Sequence, residues 1–151
     1  MRKILLAINL LLVSVVFAQN SISNPSLNFN ITLLDTDPVI DGNILGESIW
    51  NGVPVISNLK QIKPNYGMAA SEKTAIRIAY TAKTLYVAVV CYDTSPKNIV
   101  VSDSRRDADL NDDDSFLFIL DTYNDQQNGF LFGTNANGME YDAQIDREGE
   151  G

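Results

Sequence analysis

Phe116-Leu117-Phe118-Ile119-Leu120, then Asn124-Asp125-Gln126-Gln127-Asn128-Gly129, then Phe130-Leu131-Phe132-Gly133-Thr134, is the stretch that decides the fold. Two short apolar runs flank a cluster of amides, Asp and Gly, the composition of a turn between strands. Asn137-Gly138 follows as a two-residue hairpin signal, after which Met139, Tyr141, Ala143 and Ile145 alternate with Glu140, Asp142 and Gln144. Three strands at short intervals with no helical period between them predict antiparallel β structure.

Upstream the same grammar holds. Ile76, Ile78 and Tyr80 alternate with Ala75, Arg77 and Ala79, which predicts a strand with one face inward. Thr81-Ala82-Lys83-Thr84 is a turn, and Leu85–Tyr92 is apolar on both faces, which predicts a central strand covered on both sides. Phe116–Leu120 is expected to be a second strand of that kind. Gly46-Glu47-Ser48-Ile49-Trp50 is long enough for one helical turn, with Trp50 a core plug. The fold class expected is all-β, an antiparallel β-sandwich or jelly roll, with no internal repeat. Asp146-Arg147-Glu148-Gly149-Glu150-Gly151 closely follows the final strand, and on this reading the sandwich is incomplete at its C-terminus.

The first residues predict export. Arg2 and Lys3 precede an almost wholly apolar run from Ile4 to Phe17, and Val16-Phe17-Ala18 suits signal cleavage after Ala18. The run is shorter than the roughly 20 residues of a membrane span, so no transmembrane helix is expected in the mature part. Residues 1–18 are therefore expected to be a signal peptide, 19–30 a Ser- and Asn-rich flexible leader, and 31–151 one β domain. The expected location is the periplasm, the outer membrane or the extracellular space. The single Cys91 allows no internal disulfide and is expected to be a buried small side chain.

Charge narrows the partners. The chain carries −8, and without Arg2 and Lys3 nine basic residues face 19 acidic ones, a net −10. Such a surface repels phosphate backbones and anionic headgroups, which argues against nucleic-acid and membrane-surface binding and for neutral polyols or cations. The absence of His removes the usual zinc ligand and the usual general base near neutral pH.

The acids are concentrated ahead of Phe116, in Ser104-Arg105-Arg106-Asp107-Ala108-Asp109-Leu110-Asn111-Asp112-Asp113-Asp114. Asp107, Asp109, Asn111 and Asp113 alternate, placing hard oxygen donors at a spacing that calcium loops favour, with Asp112 beside them. An EF-hand is excluded, because Asp112 stands where its glycine belongs and Phe118 where its glutamate belongs. The other reading of this run is a solvated loop whose repulsion Arg105 and Arg106 relieve.

Sugar recognition calls for flat rings flanked by amides and charged donors. Tyr66, Tyr123 and Tyr141 are the ring candidates, with Asn124, Gln126, Gln127 and Asn135 as polar partners. Glycosidic hydrolysis by this chain would need two carboxylates some 5 to 10 Å apart. Glu140 and Asp142, about 7 Å apart on one strand face, are the nearest to such a pair, and an outward polar face accounts for them more simply.

Pro38-Val39-Ile40-Asp41-Gly42 followed by Trp50, Thr84-Leu85-Tyr86-Val87-Ala88-Val89 with Tyr92-Asp93, Asp112-Asp113-Asp114-Ser115-Phe116 with Leu120-Asp121, and Gly138 together resemble carbohydrate-binding module family 9. The resemblance runs from about Pro38 to Ile145 and is to the family-9-like domain at the N-terminus of large exported bacterial proteins. It implies a β-sandwich, bracing calcium ions (Ca2+), and noncatalytic binding of a polysaccharide or oligosaccharide. It also implies a downstream partner domain, either a polysaccharide-degrading O-glycosyl hydrolase or an outer-membrane protein. Carried onto this chain, Asp107, Asp112 and Asp113 become metal or ligand-shell acids and Arg105 or Arg106 a hydroxyl donor. No tryptophan follows Trp50, so the family's tryptophan clamp has no counterpart here. The alternatives are a calcium-braced structural or docking domain without sugar binding, and a glycoside hydrolase in its own right.

Overall fold

The computed structural model describes residues 29–147. The expected signal peptide, most of the leader and the last four residues lie outside that range. Six strands are formed: β1 (Thr32–Leu33), β2 (Thr74–Tyr80), β3 (Leu85–Cys91), β4 (Ser115–Leu120), β5 (Gly129–Asn135) and β6 (Tyr141–Ile145). They make two three-stranded sheets, ordered β1-β2-β3 and β4-β5-β6, and the only helical pieces among the described residues are 3-10 turns of three residues. The all-β expectation holds at this level. Contacts divide the chain into one unit of residues 29–54 and 77–88 and another of 55–76 and 89–147, and β2 and β3 contribute residues to both.

In the first unit Thr32 and Leu33 pair in parallel with Ala79 and Tyr80. Leu34, Trp50, Val53, Ala79 and Ala88 close a small core, with Ile44, Ile49 and Tyr86 against it. Trp50 is the plug its position predicts, and the expected helical turn becomes two 3-10 turns, Ile44–Gly46 and Ser48–Trp50. A buried indole N–H needs an acceptor, and Glu47 supplies it at 3.0 Å while its other oxygen takes the Val39 N–H.

β2 is partly covered on both faces, where one inward face was expected: Ile76 is buried on one, with Tyr80 37% exposed, and Ala75 and Ala79 are buried on the other. Bulky Trp50 packs there, and small side chains make room for it. β3 and β4 lie at sheet edges, so an apolar run did not mean cover on both sides: Leu85, Leu117 and Ile119 are exposed. Cys91, at the end of an edge strand, is exposed as well.

The second sheet is the better defined. β4 and β5 pair antiparallel from Ser115↔Asn135 to Leu120↔Phe130, and β5 and β6 from Gly129↔Ile145 to Gly133↔Tyr141. Opposed Phe118 and Phe132 stack at 5.4 Å between ring centres. Gly129 opens β5 because a Cβ there would stand 2.6 Å from the Leu120 carbonyl oxygen. The β5–β6 connection is longer than a two-residue turn. The Gly138 N–H donates to the Asn135 carbonyl, Gly138 takes the left-handed backbone its φ of +74° requires, and Met139 and Glu140 precede the strand.

Candidate functional site

Two segments of the second unit carry most of the residues singled out from the sequence, Tyr66, Asn135 and Tyr141 lying outside both: the acidic run Val100–Asp114 leading into β4, and the β4–β5 loop, residues 121–128.

The acidic run is closed by its own hydrogen bonds. Asp113 accepts from the Ser102 N–H at 2.7 Å and from the Ser102 hydroxyl, and its second oxygen accepts from Asn135 Nδ2 at 2.9 Å. Asp114 accepts from the Val100 N–H at 2.7 Å. The Ser102 and Asn135 donors favour the ionised form of Asp113 and hold its carboxyl below its ordinary range. Asn135, 6% exposed, ties the run to the turn. Its amide also donates to the Asp103 carbonyl at 2.8 Å, and its oxygen accepts from the Asn137 and Met139 N–H groups. Every hydrogen-bonding position of that buried side chain is thereby used.

Both arginines of the run are ion-paired. Arg105 grips Asp103 at 2.6 Å and holds that carboxyl down to about 2. Arg106 touches three acids: Glu140 at 2.7 Å, Asp107 at 3.3 Å, and Asp142. The combined negative charge of Asp142, Asp107 and Glu140 raises the Arg106 pKa. Glu140 and Asp142, paired in the sequence reading as possible catalytic carboxylates, thus share one guanidinium. Tyr141 is half-buried beside them, in an open cleft of about 460 Å³ lined also by Thr134 and Met139.

The expected metal ligands do not converge. Asp109 accepts from the Asn111 N–H, Asp107 from the Asp142 N–H and Arg106, and Asp113 is occupied as described. Asn111 and Asp112 are exposed, and no group of three or more acids gathers as a metal-holding set among the described residues. As placed, Asp107, Asp109, Asn111, Asp112 and Asp113 do not fit a calcium shell of six to eight oxygens.

The β4–β5 loop is built differently. Asp121 accepts from the Asp125 and Gln126 N–H groups at 3.2 and 2.8 Å. Asp125 accepts from the Gln127 and Asn128 N–H groups and from Asn128 Nδ2, which lowers the Asp125 pKa. Asn124 and Gln126 are held in the left-handed region, at φ of +54° and +59°. Two carboxylates inside the loop so fix the backbone and leave the rest outward: Tyr123 is 66% exposed, and Asn124, Gln126 and Gln127 are exposed with no side-chain hydrogen bond among the described residues.

The geometry brings Asn135 to the acidic run, places Arg105, Arg106 and Tyr141 near it, and gathers Tyr123, Asn124 and Gln126 in the other loop. Asp125 and Ser102 are the contributors the sequence reading did not single out as site residues. The signal for Asp125 was an Asp ahead of amide-rich turn residues, the pattern in which a carboxylate caps backbone N–H groups a few positions on. No family model, curated protein or solved structure matches this chain.

Proposed function

We propose that this chain is a noncatalytic carbohydrate-binding module of an exported protein, built as a family-9-like antiparallel sandwich. The loop of residues 121–128 is its sugar platform. One observation carries the reading: Tyr123 stands two-thirds exposed on a loop braced from within by Asp121 and Asp125, beside the outward amides of Asn124 and Gln126. An aromatic ring supplies an apolar face for a pyranose, and amides both donate to and accept from its hydroxyls. A loop already ordered before binding avoids part of the entropy cost of capture. Attached to a polysaccharide-degrading unit or an outer-membrane protein, such a module raises the local concentration of substrate.

The test is affinity electrophoresis in gels containing xylan, glucan or mannan. Retardation in at least one gel, lost in Tyr123→Ala, is expected. Unchanged mobility of the wild-type chain in all three sinks the reading.

A second reading, a structural or docking domain without sugar binding, is favoured by the acidic run. Its carboxylates bind their own backbone, the buried Asn135 and the two arginines. Calcium bracing belongs to this reading and requires Asp109, Asn111 and Asp112 to move inward. A melting temperature that falls on adding chelator, with no effect of any sugar, would support it over the first. Hydrolysis by this chain alone ranks last, because Glu140 and Asp142 are already engaged by Arg106.

A further inference from the structure

The segment from Ser48 to Ser71 contains no acidic residue, although the chain as a whole is strongly acidic, and it carries Lys60 and Lys63. Within it lies an ordered hairpin. Lys60 pairs antiparallel with Ala69, the Gln61 N–H donates to the Met68 carbonyl at 2.9 Å, and the Gly67 N–H donates to the Gln61 carbonyl at 2.9 Å. The Gln61 side chain adds a bond to the Ala69 carbonyl at 2.8 Å. This backbone satisfaction serves a tip of large apolar side chains in water: Ile62 is 77%, Tyr66 86% and Met68 62% exposed, with Leu59 at 40% on its arm.

We propose that the Leu59–Met68 hairpin is a membrane-surface element that inserts Ile62, Tyr66 and Met68 into the interfacial region of a bilayer containing anionic lipid, with Lys60 and Lys63 on the headgroups. Clustered exposed apolar groups mark an interaction site. The kind of partner follows from shape and charge. Side chains exposed by three-quarters or more stand on a convex tip, and a fluid acyl boundary wraps a convex apolar tip without needing a matching groove. A tyrosine ring suits the headgroup level, and lysines keep their ammonium groups there while their stems lie along apolar surface. Glu72 lines one cleft with Lys60, where Lys73 stands beside it, and the field of more distant carboxylates is screened over about 10 Å at 0.1 M salt. The net charge, on which the sequence reading set membrane surfaces aside, averages over this reversal. The element lies on a membrane and does not span one, and it is independent of the sugar reading.

The experiment is co-sedimentation of the chain from Gln19 onward with large vesicles of phosphatidylcholine alone or mixed with phosphatidylglycerol. Wild type is expected to pellet with the mixed vesicles, and the triple substitution Ile62→Ser, Tyr66→Ser, Met68→Ser to stay in the supernatant. Lys60→Gln and Lys63→Gln should each weaken binding roughly fivefold, in line with the headgroup attraction per lysine. Tyr66→Trp should shift its emission to the blue on adding vesicles. Equal pelleting of wild type and triple variant, or no pelleting of either, overturns the proposal. So does wild type that self-associates without lipid while the triple variant stays monomeric, because the tip then serves a second copy of the chain. All these side chains are exposed, and unchanged melting temperatures will show that the variants fold.

Discussion

The acidic run ahead of β4 and the loop that follows it are both polar and Asp-bearing, and they put their carboxylates to opposite uses. In the run, Asp113 and Asp114 reach back to Ser102 and Val100, and buried Asn135 locks the arrangement to the β5–β6 turn. In the loop, Asp121 and Asp125 cap only the N–H groups of their own next few residues, and Tyr123 with its neighbouring amides is left outward. The first pattern spends polar groups on holding separate segments together. The second spends two of them locally and presents the remainder. An acid-rich sequence is therefore not by itself a binding surface, and what matters is how far its carboxylates reach along the chain.

The contrast breaks most visibly at Asn135. Asn135→Leu removes the partners of Asp113, the Asp103 carbonyl and two N–H groups at once. Leaving such groups unpaired in a covered site is expected to cost about 3 kcal/mol, read as a lower midpoint in urea unfolding. A loss below about 0.5 kcal/mol, the range of ordinary surface changes, would mean that the run is not held as described. Tyr123→Ala should do the reverse. Its stability should stay within about 0.5 kcal/mol of wild type, while removal of a dominant aromatic contact weakens glycan binding by about 2 kcal/mol, close to thirtyfold.

Much of this division was legible in the residues, and the illegible part has a physical cause. Strand positions followed from alternation and turn residues, as in Tyr141 to Ile145, and the Tyr123, Asn124 and Gln126 grouping came from sequence adjacency within one turn. Asn135 was singled out as a polar partner for sugar because an amide looks the same whether it faces water or a half-buried carboxylate 22 positions away. Edge placement was equally hidden. Leu85–Cys91 has the composition of a doubly covered strand, and only the pairing order shows that β3 ends its sheet. The alternating Asp and Asn of the run suggested convergence on an ion, but the left-handed backbone at Asp107 and the Asx turn at Asp109 send those carboxylates elsewhere.

A smaller effect separates order from recognition within the loop itself. Gln126 holds a left-handed conformation that costs an L-residue about 1 kcal/mol and glycine almost nothing. Gln126→Gly is expected to raise stability by up to that amount while lowering glycan affinity, because the amide leaves and the backbone stays. Equal or higher affinity in this variant would show that Gln126 serves the turn alone.

The smallest effect tests the first region by pH. Arg105 holds Asp103 at about 2, against an ordinary value of 3.8, and Asp113 is lowered by Ser102 and Asn135. A carboxyl whose pKa is lower in the fold stabilises it fully above the ordinary value, and that contribution disappears as pH falls through the folded value. The melting temperature should therefore be level from pH 7 to about 5 and decline between about pH 4 and 2. Asp103 is paired at the surface, where ion pairs contribute little, so Asp103→Asn should flatten only a minor part of that decline. Asp113→Asn should flatten a further part of it, because the Ser102 and Asn135 donors favour its ionised form. If neither substitution changes the decline, these two carboxylates are not held as described.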